Sequence, residues 1–478
     1  MAQRPNLLLI WTDEQRADTM ACYGNDYIRT PNLNRLAERS FVFENAYCAQ
    51  PVCTPSRGTV LTGLWPHTHR STTNNVRLGS DVRTIAEMVD PAYRPAYFGK
   101  WHLGDEIVAQ HGFDEWISTE DDMYRSFYSK PEYLERRSDY HHYLIEQGFA
   151  TDAQIDGADV FSRPFAAVMA ERYTKAAFLG RNAASFLRDQ TADRPFMLSV
   201  NFLEPHMPFM GPLNHLHDPD EVPVGPSFCV PPPANASNKA HQMWERFRDQ
   251  GHSGHPLKTE ADFRRLRANY YGLTSLVDNA VGEIFDALEA SGQADRTIVV
   301  FTSDHGDMMG DHGLLTKGIM YEEAVHIPLL VRVPWATEAA RRIPGRISQI
   351  DLAPTLLDLM EHEVPEHLQG RSRRNVLEGT SDLGDNDVFI EWNQGPADAI
   401  ETADRLDTTW WRTIIDRTGW KLDLAVNDRS ELYDLNNDPH ELKNLFDAPE
   451  QKARVAALSE KLRGWQAATG DVLPLPRP

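Results

Sequence analysis

The side chains with most chemical promise stand in the run 51–63, Pro-Val-Cys-Thr-Pro-Ser-Arg-Gly-Thr-Val-Leu-Thr-Gly. Pro55 has no N–H to donate and fits the first turn of a helix, so Cys53 is expected at or just before a helix start. There the free N–H groups and the positive end of the helix favour an anion. Arg57, one turn further on, falls on the same face and can fork onto an oxyanion. A nucleophile-type side chain, a helix N-terminus and a guanidinium thus surround one point. Cys22, Cys48 and Cys229 have no such setting and read as small buried hydrophobes. Two carboxylate-bearing pairs suit a metal ion, Asp13-Glu14 and Asp304-His305, each straight after an apolar run. Lys100 and His102, two apart, point into one cavity if the segment after 96–98 is extended. Asn74 and Asn75 read as a turn pair.

Those residues need strands that stop on one side of a sheet. The segments 6–11, 195–202 and 297–302 read as fully buried strands, because near-continuous apolar runs are what parallel sheets contain. Asp13-Glu14, His206 and Asp304-His305 follow their carboxyl ends, where open α/β sheets place their sites. Helices are expected over 32–39, over 165–189 with Pro164 in its first turn, over 264–290 and over 449–469. Segments 327–333 and 349–360 continue the core as a strand and a helix. The acidic stretch 105–157 carries Tyr124, Phe127, Tyr128, Tyr133, Tyr140 and Tyr143. It reads as an insertion of short helices over the site, with the aromatic stripe serving packing. The stretch 212–255, rich in Pro, Gly and His, reads as a long loop at the site. After 370–371 the pattern changes to alternating strands at 388–392, 410–415, 420–424 and 431–435.

The run 51–63 closely resembles the signature of the type I sulfatases, Cys-x-Pro-Ser-Arg followed by an apolar pair and Thr-Gly. Gly-Lys-Trp-His-Leu-Gly at 99–104 resembles the family's second signature, and further blocks recur in family order from Asn6 to about Asn444. The resemblance implies an alkaline-phosphatase-like α/β/α sandwich with a mostly parallel central sheet, plus a smaller carboxy-terminal antiparallel sheet and helix. The implied division is a catalytic domain over 1–375 and a subdomain over 376–478. It also implies that Cys53 is converted to formylglycine, whose hydrate attacks a sulfate monoester. The metal ligands would be Asp13, Glu14, Asp304, His305 and one oxygen of modified Cys53, holding one divalent cation, Ca²⁺ first, with Mn²⁺ or Mg²⁺ as alternatives. Glu14 is a departure, since the family carries Asp-Asp or Asp-Gln there. His206 would be the general acid and His102 the base, with Lys100, Lys317 and Arg57 stabilising the sulfuryl oxygens. Asn74, Lys100, His206 and Lys317 would contact substrate. A phosphonate or phosphate monoester hydrolase of the same superfamily is the rival reading; members of that branch carry other residues in place of Lys100 and His102. An inactive sulfatase-like binding protein is a third, but a decayed copy should have lost several of these residues and only Glu14 departs.

Bulk properties narrow the field. With 478 residues, 41% hydrophobic and 25% charged, the chain can bury a large core. A net charge of −22 argues against nucleic acid or another polyanion as partner, while a local cationic pocket can still take a small anion. The partners expected are a small sulfate ester and a formylglycine-generating enzyme; a homo-oligomer is left open. Four cysteines without regular spacing make no disulfide framework. The run 7–11 is short for a signal sequence, and no stretch reaches the roughly 20 apolar residues of a membrane span. The expected compartment is the cytoplasm.

Overall fold

Alternation along Asn6–Asp13 (β1) decides the architecture. Every residue of this strand is buried, with Leu7, Leu9 and Trp11 in one apolar cluster and Leu8 and Ile10 in another. A strand apolar on both faces needs a layer on each, which is the logic of a parallel sheet between helices. A computed structural model of the chain supplies those layers; it describes residues 4–394 and 409–477, apart from positions 122, 156, 192 and 337.

In chain order, β1 is followed by Pro31–Ala37 (α1), Phe41–Tyr47 (β2), Cys53–Thr62 (α2), Arg94–Gly99 (β3) and Glu115–Ile117 (β4). Next come Lys175–Arg188 (α3), Phe196–Pro205 (β5), Asn238–Gln250 (α4), Glu260–Ala290 (α5) and Thr297–Ser303 (β6). Leu329–Arg332 (β7), Arg341–Ser348 (β8) and Leu352–Leu359 (α6) complete the large layer structure. The sheet runs β8-β2-β7-β6-β1-β5-β3-β4, and the short strand His326–Ile327 pairs with β2. All pairings along that path are parallel except those of β7, which is antiparallel to both β2 and β6. α1, α3 and α5 cover the face holding Leu8 and Ile10, and α2 and α6 lie on the other. A separate antiparallel sheet follows from Val388–Trp392 (β9), Trp410–Ile415 (β10), Trp420–Val426 (β11) and Glu431–Asp434 (β12). Lys452–Thr469 (α7) packs its Val455, Leu458 and Leu462 against that sheet. Positions 395–408 of the expected 376–478 subdomain lie outside the described residues.

The expected sandwich and small sheet are both present, and the differences are local. The single helix expected over 165–189 is two, Arg163–Ala167 and α3, because the Thr174 side chain caps a fresh start by accepting from the Ala177 N–H. α5 begins at Glu260, ahead of the expected 264, where Thr259 and Asp262 form a reciprocal cap. The stretch 105–157 is not purely an insertion, since β4 extends the main sheet beside β3. Its Tyr140 and Tyr143 pack against Phe178 of α3, as expected of packing aromatics. The loop expected over 212–255 contains α4, capped by Ser237, whose hydroxyl accepts from the Ala240 N–H. Among the described residues no helix is long and apolar enough to cross a membrane.

Candidate active site

β1, β3, β5 and β6 run parallel, so their carboxyl ends open on one side of the sheet, and the candidate residues follow those ends. Asp13 closes β1, His206 follows β5, and Asp304 and His305 follow β6. β3 ends at Gly99, where φ is +105° and an added Cβ would meet the Asn201 carbonyl oxygen at 2.0 Å, so only glycine delivers Lys100 here. Cys53 is the first residue of α2, in agreement with Pro55 and the helix-start argument.

Asp13, Cys53, Asp304 and His305 each place a potential ligand atom within 4.8 Å of the others, and all four are buried. The Cys53 Sγ lies 3.5 Å from Asp13 Oδ1 and 3.4 Å from His305 Nε2. His305 Nδ1 donates to the Gly306 carbonyl (2.9 Å), which leaves Nε2 as a lone pair facing the cluster. That is the usual support of a ligating imidazole. Two carboxylates with one oriented imidazole are a donor set that fits a divalent cation. Glu14 does not share this cluster. It belongs to a second group with Asp13 and His206, and its backbone takes a left-handed φ of 71°. Lys317 Nζ is 3.0 Å from Glu14 Oε1, and His206 Nε2 is 3.5 Å from Oε2. Neither Glu14 oxygen accepts a well-formed hydrogen bond.

Arg57 points elsewhere than the sequence suggests. Its Nη2 binds Asp13 Oδ2 at 2.9 Å, Nε binds Asp304 Oδ2 at 3.0 Å, and Nη1 donates to the Lys100 carbonyl at 2.8 Å. All three nitrogens are committed to the protein, so the oxyanion contact expected of Arg57 is replaced by the positioning of two carboxylates. Asn74 Oδ1 accepts from the Thr54 N–H (3.1 Å) in the first turn of α2. Its neighbour Asn75 reaches the site, with Oδ1 2.9 Å from His102 Nε2. His102 itself is not in an extended segment, having φ of 56°. Lys100 and His102 still meet at one side chain, Tyr124, whose ring lies 4.0 Å from the imidazole and 5.5 Å from Lys100 Nζ.

Electrostatics follow from burial and neighbours. Burial raises Asp13, but Lys100, which touches it, outweighs this with His206 and Arg57 and holds its carboxyl well below the usual range. Burial pushes Glu14 well above that range despite Lys317. Burial and the Asp13 charge raise Asp304. Burial and the same Asp13 charge raise the Cys53 thiol, against the pull of Lys100 and Lys317. The carboxylates therefore override the helix terminus, and an unmodified Cys53 is a protonated thiol and a poor nucleophile. His206 and His102 are held neutral, first by burial and then by Lys317 and Lys100 respectively.

Several residues of the site escape sequence reasoning. Glu106 accepts the backbone N–H groups of Trp101 (2.9 Å) and His102, fixing the turn after Lys100. Being the one glutamate in the acidic pair after Gly104, it carried only a weak signal. Asp307 Oδ1 accepts from the N–H groups of Met309 and Thr316 at 2.8 Å each and so shapes the loop leading to Lys317. Tyr124 was one aromatic of six with no spacing to single it out. The His312 ring stacks on that of Tyr321, with centroids 4.0 Å apart.

Comparison with known proteins agrees with this geometry. The sequence model of the family described as Sulfatase matches residues 5–362, and that described as N-sulphoglucosamine sulphohydrolase, C-terminal, matches 310–468. The chain is similar to an uncharacterised sulfatase of Escherichia coli, at 30% identity over 93% of this chain and 84% of that protein. It is 26% identical to an N-acetylglucosamine-6-O-sulfatase of Bacteroides thetaiotaomicron, over 97% of this chain and 86% of that one. Among solved structures, the phosphonate monoester hydrolase of Agrobacterium radiobacter superposes with a TM-score of 0.76 at 25% identity, covering 98% of this chain and 96% of that chain.

Proposed function

The chain belongs to the sulfatase family, and we propose that it hydrolyses a sulfate monoester with an aldehyde made from Cys53 at the centre of the reaction. The observation that carries this reading is the convergence of Asp13, Cys53, Asp304 and His305 within 4.8 Å, flanked by Lys100 and Lys317. The raised Cys53 thiol supports it, because the site as it stands suppresses a thiolate. Cys53 is 1% exposed, so its conversion by a formylglycine-generating enzyme precedes folding.

Asp13, Asp304, His305 and an oxygen at residue 53 would hold a divalent cation, Ca²⁺ by preference, which would supply Lewis acidity to lower the pKa of a hydroxyl and polarise the sulfuryl group. The hydrated aldehyde offers two hydroxyls: one attacks sulfur in line as the alcohol leaves, and deprotonation of the other expels sulfate and restores the aldehyde. A serine or cysteine ester has no second hydroxyl with which to do this. Lys100 and Lys317 hold the sulfuryl oxygens as negative charge builds on them. His206 is oriented by its Nδ1, 2.8 Å from the Met207 carbonyl, so Nε2 faces the site. Burial first, then the Lys317 charge, keeps this ring neutral; an arriving sulfate opposes the Lys317 charge, favours the proton on Nε2, and lets His206 protonate the leaving alcohol. His102 keeps Nδ1 unpaired while Asn75 accepts from Nε2, so Nδ1 is the base for the second hydroxyl. Arg57 positions Asp13 and Asp304, and Glu14 lies beside Lys317, its Oε1 3.0 Å from Nζ.

Residues 376–478 act in this reading as a subdomain that braces the segment after Lys317. Lys421 Nζ reaches Glu322 Oε1 (3.0 Å) and Glu441 Oε1 (2.8 Å), and the Glu322 N–H donates to Glu441 Oε2. With four cysteines all free, we assign the protein to the cytoplasm. In protein made with a formylglycine-generating enzyme, the peptide containing residue 53 should be lighter than its cysteine form, and activity should track the converted fraction. Full activity in protein carrying only cysteine would overturn the proposal. The similarity to a phosphonate monoester hydrolase favours a second reading, hydrolysis of phosphonate or phosphate esters at the same site.

A further inference from the structure

β7 ends at Arg332, which pairs with Val299 near the start of β6, away from the catalytic crevice. Val299 and Asp304 are five residues apart along one strand, roughly 16 Å. Arg332 is 8% exposed as a residue and its guanidinium is half-buried, reaching solvent only at the cleft, yet among the described residues it has neither a hydrogen bond nor an ion pair. A partly desolvated charge without a partner favours an anion in the cleft. Arg332 lines a cleft of about 60 Å³ between α1, α5 and β6, with Phe285 and Val299 among its apolar walls. Arg35 and Arg39 stand on the same cleft, and Glu289 is the one acid lining it. Arg35 is tied to Asp286 at 3.1 Å, whereas Arg39 is exposed and has no ion pair among the described residues. Burial, then the Arg39 charge, pulls the Arg332 guanidinium below its ordinary value.

We propose that this cleft is a second anion site, in which Arg332 and Arg39 hold a phosphate or sulfate group. Planar guanidinium forks match tetrahedral oxyanions, and two of them approaching from separate elements can share one. The small volume and the net charge of −22 favour a small anion over a polyanion. Glu289 is not within ion-pair reach of Arg332, and it opposes binding without blocking it.

The test is thermal unfolding of the matured, metal-loaded enzyme in rising inorganic phosphate or inorganic sulfate, with ionic strength held constant by chloride. The variants are Arg332→Met, Arg39→Ala and Glu289→Gln. The active centre also takes these anions, so the readout is the difference between wild type and variants. Ligand binding to the folded state should raise the wild-type Tm with anion concentration beyond the rise seen in Arg332→Met. Arg332→Met should start with a Tm no lower than wild type in anion-free buffer, having lost a half-buried charge with no ion-pair partner. Arg39→Ala, an exposed position, should weaken the response several-fold, and Glu289→Gln should strengthen it. kcat/KM should stay unchanged in all three. A response to phosphate, sulfate or both supports the site and identifies its anion. Equal responses in wild type, Arg332→Met and Arg39→Ala would overturn it. So would a Glu289→Gln variant of lowered Tm with an unchanged anion response, which would make Glu289 the partner of Arg332.

Discussion

Arg57 and Lys100 both touch Asp13 from inside the protein, yet their removal should have different consequences. Arg57 bridges Asp13 and Asp304 with a guanidinium that is always charged, and both carboxylates are wholly buried. Deleting one partner of a buried ionic set costs about 3–5 kcal/mol, because the charges left behind have no water. Arg57→Ala should therefore lose stability of that order together with bound metal, read by denaturant unfolding and elemental analysis. In Lys100→Ala, Arg57 still holds Asp13, so metal should remain. The loss should be in kcat for a sulfate ester, by about 10²–10³, in line with removal of one preorganised charge stabiliser. Spacing made the Cys53 helix start legible, since it depends on Pro55 next door. It could not show where Arg57 points, because the carboxylates that capture it arrive from the ends of β1 and β6, remote in sequence.

Elements matter here through where they stop. Three of the four strands that frame the crevice were readable as apolar runs, and so were the residues delivered at their ends. The turn after β3 was not readable: Lys100 and His102 converge on Tyr124 through a left-handed residue and a carboxylate clamp, not through an extended segment. α4 was hidden because its sequence is polar and its flanks are rich in Pro and Gly. The clamp itself is testable. Glu106→Ala leaves two buried N–H donors without an acceptor, at about 1–3 kcal/mol each. A displaced His102 should lower kcat by up to about 10². Glu106→Gln keeps an acceptor and should recover most of both losses, measured side by side as kcat and unfolding free energy.

At the scale of the whole molecule, the large and small sheets are tied by His67. Its Nδ1 lies 2.6 Å from Glu391 Oε1 of β9, and Nε2 lies 3.2 Å from the Thr469 carbonyl of α7. Both neighbours are acceptors, so only the protonated ring satisfies both. Burial opposes that charge, but Glu391 wins and raises His67 above its ordinary 6.5, while Arg412 and His67 outweigh burial and lower Glu391 below 4.5. A raised histidine gives stability that is full below 6.5 and is lost as pH rises through its folded value. A lowered carboxylate gives stability that is present above 4.5 and is lost as pH falls through its folded value. The pair should therefore stabilise most between pH 4.5 and 6.5. His67→Gln should cost about 1.5–3 kcal/mol in that window and less above it, as read by urea unfolding at a series of pH values.

The claim on which the rest depends is that the centre built on Cys53 is tuned to sulfate. Its most direct test is kcat/KM of the matured enzyme for sulfate and phosphonate monoesters of one alcohol, measured under the same conditions. The sulfate ester should give the higher value. A higher value for the phosphonate ester would contradict it.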